Sequence, residues 1–249
     1  MALNLDGTTG ITSDSGTPVI ENLNTTATGI DITGQLTTTG NVGIGTSSPT
    51  RLLQLNSSTT EVAMKLTNST SGSGSSDGTD IKYEGLNLSI NNREAGSIIF
   101  ETNNISRATI DSAGRVTMPY QPVVSATRNS DFGSNGAAQS IINFEGVQVN
   151  VGNHYNNATG IFTCPVNGTY RITAYGMVRS STSNGVFVYN AATARHNGSQ
   201  IGGAAYNYGD GYVHISGNWM INASAGDALS VYMSSCLGGY GGLTIELIG

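Results

Sequence analysis

Charge is scarce in this chain. Only 10% of its 249 residues are Asp, Glu, Lys or Arg, and the formal net charge is −6. The ten basic residues are scattered from Arg51 to Arg195 with no basic run, which argues against the clustered cationic surface that binds nucleic acid. Long apolar runs are also missing. None approaches the ~20 residues that a membrane-spanning helix needs, so no membrane insertion is expected. The opening MALNLDGTTG has neither the positive start nor the apolar stretch of a secretory signal. Synthesis in a cytosol, without export by the general route, is the expectation. Cysteine is limited to Cys164 and Cys236, too few for a disulfide framework. Two buried free thiols acting as small hydrophobes are expected, with one disulfide between them as the alternative.

The groups that carry chemistry are equally sparse. The three histidines, His154, His196 and His214, have no partner at metal-ligand spacing, and no His-Glu-x-x-His occurs. No Gly-x-Ser-x-Gly elbow is present. The acidic residues Asp77, Asp80, Asp111, Asp210 and Asp227 sit in apparent turns. The Gly-rich GNVGIGTS at 40–47 lacks the Gly-Lys-Ser/Thr ending of a phosphate loop, and no amphipathic helix follows it. No enzyme, cofactor or metal site is expected.

What is abundant is glycine, 34 residues of it, together with Ser, Thr and Asn, and interrupted by evenly spaced Ile, Val and Leu. That combination fits a β-rich chain with many turns better than a disordered one, which would be rich in Glu, Lys and Pro. Thr-Gly pairs recur at Thr28-Gly29, Thr33-Gly34 and Thr39-Gly40 with single aliphatics between them. Residues 51–118 hold the short β-type runs RLLQL, EVAMKL, IKYEGLNLSI, SIIFETNN, RATID and GRVTM. Asp111, Ser112 and Gly114 suit a tight turn. The two prolines of MPYQP mark a junction, which gives segments 1–50, 51–118 and 119–249.

Beyond that junction the alternation sharpens. GIFTCPVNGTY reads as a short strand, a turn and a longer strand, with Asn167-Gly168 expected to supply positive φ. Tyr170, Ile172, Ala174 and Val178 alternate with Arg171, Thr173, Tyr175 and Met177. Val213, Ile215, Trp219 and Ile221 share one face of a strand, and Leu243, Ile245 and Leu247 one face of another. Helical periodicity is absent. The expected fold class is all-β, a sandwich fed by a thin N-terminal shaft.

The region 119–249 resembles the globular head of complement component 1q, a trimeric jelly roll related to the tumour necrosis factor fold. The resemblance rests on Val151, Asn153, Tyr155, Thr159, Gly160, Phe162, Pro165, Gly168 and Tyr170, and on the ordered ending AGDALSVYM, CLGGYGG and LTIELI. It implies a homotrimer, a turn-capping role for Asp227, and Asp210 as the nearest thing to a calcium ligand. The segment TGNVGIGT with Pro49, and the stretch 91–118, resemble bacteriophage fibre modules. That resemblance implies a virion fibre assembled in a host cytoplasm. Its N-terminal segment would meet a tail, portal or capsid protein, and its head would meet a host surface glycan or envelope protein. A capsid fibre or decoration protein with a stabilising or weakly adhesive role is the alternative, and a non-viral adhesin, disfavoured by the missing signal segment, is the third. The receptor-contact residues expected are Tyr206, Asn207, Tyr208, Asp210, Tyr212 and Tyr240, because Tyr, Gly and Asn make adaptable recognition loops. The same rings would equally suit packing between subunits.

Overall fold

The computed structural model describes residues 38–133, 139–180, 192–203 and 211–249. The chain divides into two compact units, Met1–Arg93 and Glu94–Gly249. The junction expected at 118/119 therefore falls inside the second unit.

In the first unit, β1 (Val42–Ile44) and β2 (Leu53–Leu55) pair in parallel. Gly45 takes φ +77°, and a Cβ there would overlap the Asn56 carbonyl. The glycine-rich stretch is thus a strand and its turn. β3 (Glu61–Leu66), β4 (Thr79–Glu84) and β5 (Asn87–Asn92) form an antiparallel meander. The β4–β5 connection is a two-residue loop, Gly85-Leu86, with Gly85 at φ +59°.

The second unit opens with another meander, β6 (Ile98–Thr102), β7 (Ile105–Ile110) and β8 (Val116–Thr117). Asn103 and Asn104 both have positive φ and close the first hairpin, a turn chemistry suited to asparagine. Asp111 Oδ1 accepts from the Ala113 and Arg115 amides at 2.9 Å, and Gly114 takes φ +80°, as expected for that turn.

A two-sheet sandwich follows. Its strands are β9 (Val123–Arg128), β10 (Phe132–Gly133), β11 (Ser140–Ile141), β12 (Gly146–Asn150), β13 (Tyr155–Asn156), β14 (Ile161–Thr163), β15 (Gly168–Ser180), β16 (Ala192–His196), β17 (Ser199–Gly203), β18 (Gly211–Ala223), β19 (Ala228–Met233), β20 (Ser235–Cys236) and β21 (Gly241–Leu247). One sheet has the order β12-β9-β21-β15-β18; the other has β13-β14-β19-β16-β17, with β11 also on β19. From β15 onward the chain crosses repeatedly between the sheets, with β15, β18 and β21 in the first and β16, β17 and β19 in the second, which gives a jelly roll. Among the described residues there is no α-helix, only a 3-10 turn at Val151–Asn153.

Period-two alternation builds the core. Tyr170, Ile172 and Ala174 of β15 are fully buried, as are Phe162, Leu229 and Met233 from the opposite sheet. Each large apolar side chain so buried contributes about 1.5–3 kcal/mol. The two core tyrosines keep their hydroxyls satisfied: Tyr170 donates to the Val166 carbonyl, and Tyr155 accepts from the Phe144 amide, both at 2.8 Å. The turn before β15 differs from expectation. Neither Asn167 nor Gly168 has positive φ. The Asn167 side chain instead accepts from the Ala225 amide at 2.8 Å, and Gly168 is small because Leu247 and the Gly249 carbonyl crowd it. A long-range contact, not a tight turn, accounts for both residues.

Candidate functional site

β9 runs from one end of the sandwich to the other. At its start, the Leu247 amide donates to the Pro122 carbonyl at 3.1 Å and Gln121 donates to the Leu247 carbonyl at 2.7 Å, so the chain enters the sandwich here. At the other end Arg128 pairs with Gly241. The candidate site lies at this far end.

Its frame is Arg128, which is only 7% exposed. The guanidinium donates to the Asn143 carbonyl at 2.7 Å, to Glu145 at 2.9 Å and to the Ser130 carbonyl at 2.7 Å. It thereby curls residues 129–131 around itself. Glu145 also accepts from the Ser130 amide and hydroxyl. Partial burial pushes the Glu145 carboxyl upward, but the Ser130 hydrogen bonds and the Arg128 charge outweigh it and leave the group below its ordinary value. The curled loop then presents Asp131, whose Oδ1 accepts from the Gly238 amide at 2.8 Å.

A second loop, 237–240, is pinned just as firmly. The Gly239 amide donates to the Arg128 carbonyl at 2.7 Å, Leu237 to the Met177 carbonyl at 2.8 Å, and Met177 to the Tyr240 carbonyl at 3.2 Å. Gly239 has φ +83°, and any Cβ on Gly238 would press into the Asn129–Ser130 backbone. Between these loops and β18 lies an open groove of about 500 Å³, lined by Asp131, Met177, Tyr212, Leu237, Gly238 and Tyr240. Tyr212 is 62% exposed and Tyr240 53%. The groove offers two ring faces, an apolar floor and one carboxylate. That set suits adhesion by stacking and directional hydrogen bonds.

Of the expected contact residues, the structure brings Tyr212 and Tyr240 to one groove. Tyr206, Asn207, Tyr208 and Asp210 lie outside the described residues. Asp131, Met177 and Leu237 were not foreseen. Val124, Ala126 and Arg128 share the buried face of β9, so alternation along VVSATR is the signal that could have found the frame beneath the groove.

A second polar cluster ties the far hairpin to the β18–β19 turn. Asp227 Oδ2 lies 2.6 Å from His196 Nε2 and accepts from the Ser224 amide at 2.8 Å; Oδ1 accepts from Asn197 at 2.7 Å. Hydrogen bonds from Asn197, the Ser224 amide and His196 hold the Asp227 carboxyl down to about 2. Asp227 thus caps the turn, and it also anchors a hairpin. Cys164 and Cys236 are buried and unbonded, and burial pushes both thiols up to about 11, which makes them poor nucleophiles. Among the described residues no three His, Cys, Asp or Glu side chains converge on a metal position.

Residues 123–242 match the C1q domain family. That span begins at the first residue of β9 and runs to the second residue of β21. Similar solved structures include the globular domain of zebrafish complement 1qA protein, at 16% identity over 52% of this chain and 98% of that one, with a TM-score of 0.41. Murine APRIL, in its pH 5.0 crystal structure, is 9% identical over 51% of this chain and 99% of that one, TM-score 0.40. Eiger TNF from S. frugiperda is 10% identical over 52% and 93%, TM-score 0.39. No curated protein matches the chain. The matched span covers most of the sandwich and leaves the strands before Val123 outside it.

Proposed function

We propose that this chain is the subunit of a homotrimeric bacteriophage fibre whose C1q domain is an adhesive head. C1q domains serve widely as trimeric assembly and binding modules. The proposed division of labour follows the sequence. Residues 1–50 attach to a tail, portal or capsid protein and start the shaft, residues 51–118 form the neck, and residues 119–249 form the head. The observation that carries the adhesive reading is the groove between Tyr212 and Tyr240, at the end of the sandwich remote from Pro122. Its ligand would be a host surface glycan, stacked on the two rings, or an envelope protein. A single shallow groove of this kind would bind at about millimolar strength, roughly −4 kcal/mol. Three grooves per head and several heads per particle would raise that by avidity. The resemblance of residues 39–49 and 91–118 to fibre modules supports a virion setting, and a capsid fibre is the alternative placement.

One observation favours a second reading of the same rings. Tyr212 leaves the solvent face of the β12-β9-β21-β15-β18 sheet, which also exposes Tyr175 at 43% and Met220 at 66%. Rings on that face could pack between subunits. Replacing Tyr212 and Tyr240 by Ala separates the two. The adhesive reading expects cell binding to fall at least tenfold while sedimentation shows the parent assembly. Loss of the assembly, or undiminished binding, overturns it.

A further inference from the structure

We infer that the apolar face of the β3–β4–β5 sheet is an interface that closes against the same face of two further copies of this chain. The inference rests on the trimer reading above and assigns it a surface outside the C1q domain. Register gathers two adjacent apolar rows on one face of this sheet, with Leu66, Thr79 and Asn92 in the row beyond them. Val62, Tyr83 and Leu88 stand in one cross-strand row, and Met64, Ile81 and Ile90 in the next. The alternate positions face the other way and hold the ions: Lys82 sits 3.2 Å from Glu61 and 2.7 Å from Glu84. The segregation by face is complete over these rows.

An amphipathic sheet normally rests its apolar face on something. Among the described residues nothing covers this one: Leu88 is 72% exposed, Tyr83 48%, Ile90 47% and Met64 41%. The leucines of β2 extend the apolar surface, since Leu53 and Leu55 join Val62, Ile81 and Leu88 around an open depression of about 340 Å³. A three-stranded sheet with one open apolar face is marginal in water, and a patch of this kind marks a contact surface.

Other copies of the same face are the occupants that fit. These two rows carry no ion, and their one polar group is the Tyr83 hydroxyl, so like meets like without burying a charge. Closing it leaves every charge of Glu61, Lys82 and Glu84 in water. Only about 30 residues separate Asn92 from Val123, so a trimeric head would hold three sheets at an effective concentration near millimolar or above.

Cysteine placed on adjacent residues of β4 tests this in the full chain. Ile81 lies on the apolar face near the middle of the central strand, and Lys82 on the ionic face. Under mild oxidation Ile81→Cys is expected to give a majority of disulfide-linked dimers on denaturing gels. Lys82→Cys and the parent, whose own thiols are buried, are expected to stay monomeric there. Equal cross-linking of both variants, or of neither, in a protein that still sediments as a trimer overturns the interface and leaves the trimer standing. Sedimentation as a folded monomer overturns both. Leu88→Asp is the second probe: amide exchange across residues 61–92 should accelerate at least tenfold while residues 123–242 keep the parent rates. Unchanged exchange across 61–92 overturns the interface.

Discussion

Asp227 shows how one side chain can hold distant segments together. Its carboxylate takes hydrogen bonds from Asn197, the Ser224 amide and His196, three donors that ionisation strengthens. Its folded pKa of about 2 lies below the ordinary 3.8. The stability it supplies is therefore present above 3.8 and lost as pH falls from there through about 2. Thermal melts between pH 6 and pH 2 should show a steep acid limb, shallower in Asp227→Asn. Equal limbs for the two proteins would contradict this. The turn-capping role of Asp227 was implied by the resemblance that AGD helps to carry; its partner His196 was not, because 31 positions separate them and only the fold joins them. Trp219, the only tryptophan, makes a second residue-scale case. A Cβ on Gly217 or Gly202 would overlap its ring. Gly217→Ala should destabilise the head by about 1–3 kcal/mol through overpacking and red-shift its fluorescence; an unshifted spectrum at parent stability would count against that packing.

At the scale of elements, period two was the strongest signal in the sequence, and the strands follow it closely. The runs read as β-type in residues 51–118 are strands β2 to β8, and the face assigned to Ile215, Trp219 and Ile221 packs toward the core. Turns were less legible, because their chemistry depends on neighbours. Asn103-Asn104 closes a hairpin with positive φ at both residues, whereas Asn167-Gly168, richer in turn character by composition, has it at neither. β15 is the central element: it pairs with β18 along its whole length and with β21 over its first half. Truncating its fully buried Ile172 to Ala should cost about 2–5 kcal/mol, read from denaturant unfolding of the head. A loss below 1 kcal/mol would mean that the two sheets do not meet there as described. The groove stood half-legible. Its tyrosines were visible as recognition-type residues, but its floor and its Asp131 edge arise from loops that Arg128 brings together.

For the whole molecule, the buried apolar core described lies in the sandwich, and the proposed shaft would draw its burial from neighbouring chains. Among the described residues, every member of the buried apolar core lies at or beyond Val124. A fragment beginning at Pro119 should therefore be soluble and β-rich by circular dichroism, giving up contacts such as the stacking of Arg107 on Tyr120. An unfolded fragment beside a folded full chain would contradict it. The strands before Val123 have no such core, and Leu88, Val116 and Ile44 are each more than half exposed. Composition already pointed to shared burial, since so thin and polar a chain has too few apolar residues for a private core. Trimerisation is thus the claim on which the shaft, the avidity of the head and the proposed sheet interface all depend. Sedimentation of the full chain at low concentration tests it most directly. The account predicts a single species with the mass of three chains; a stable, folded monomer would contradict it.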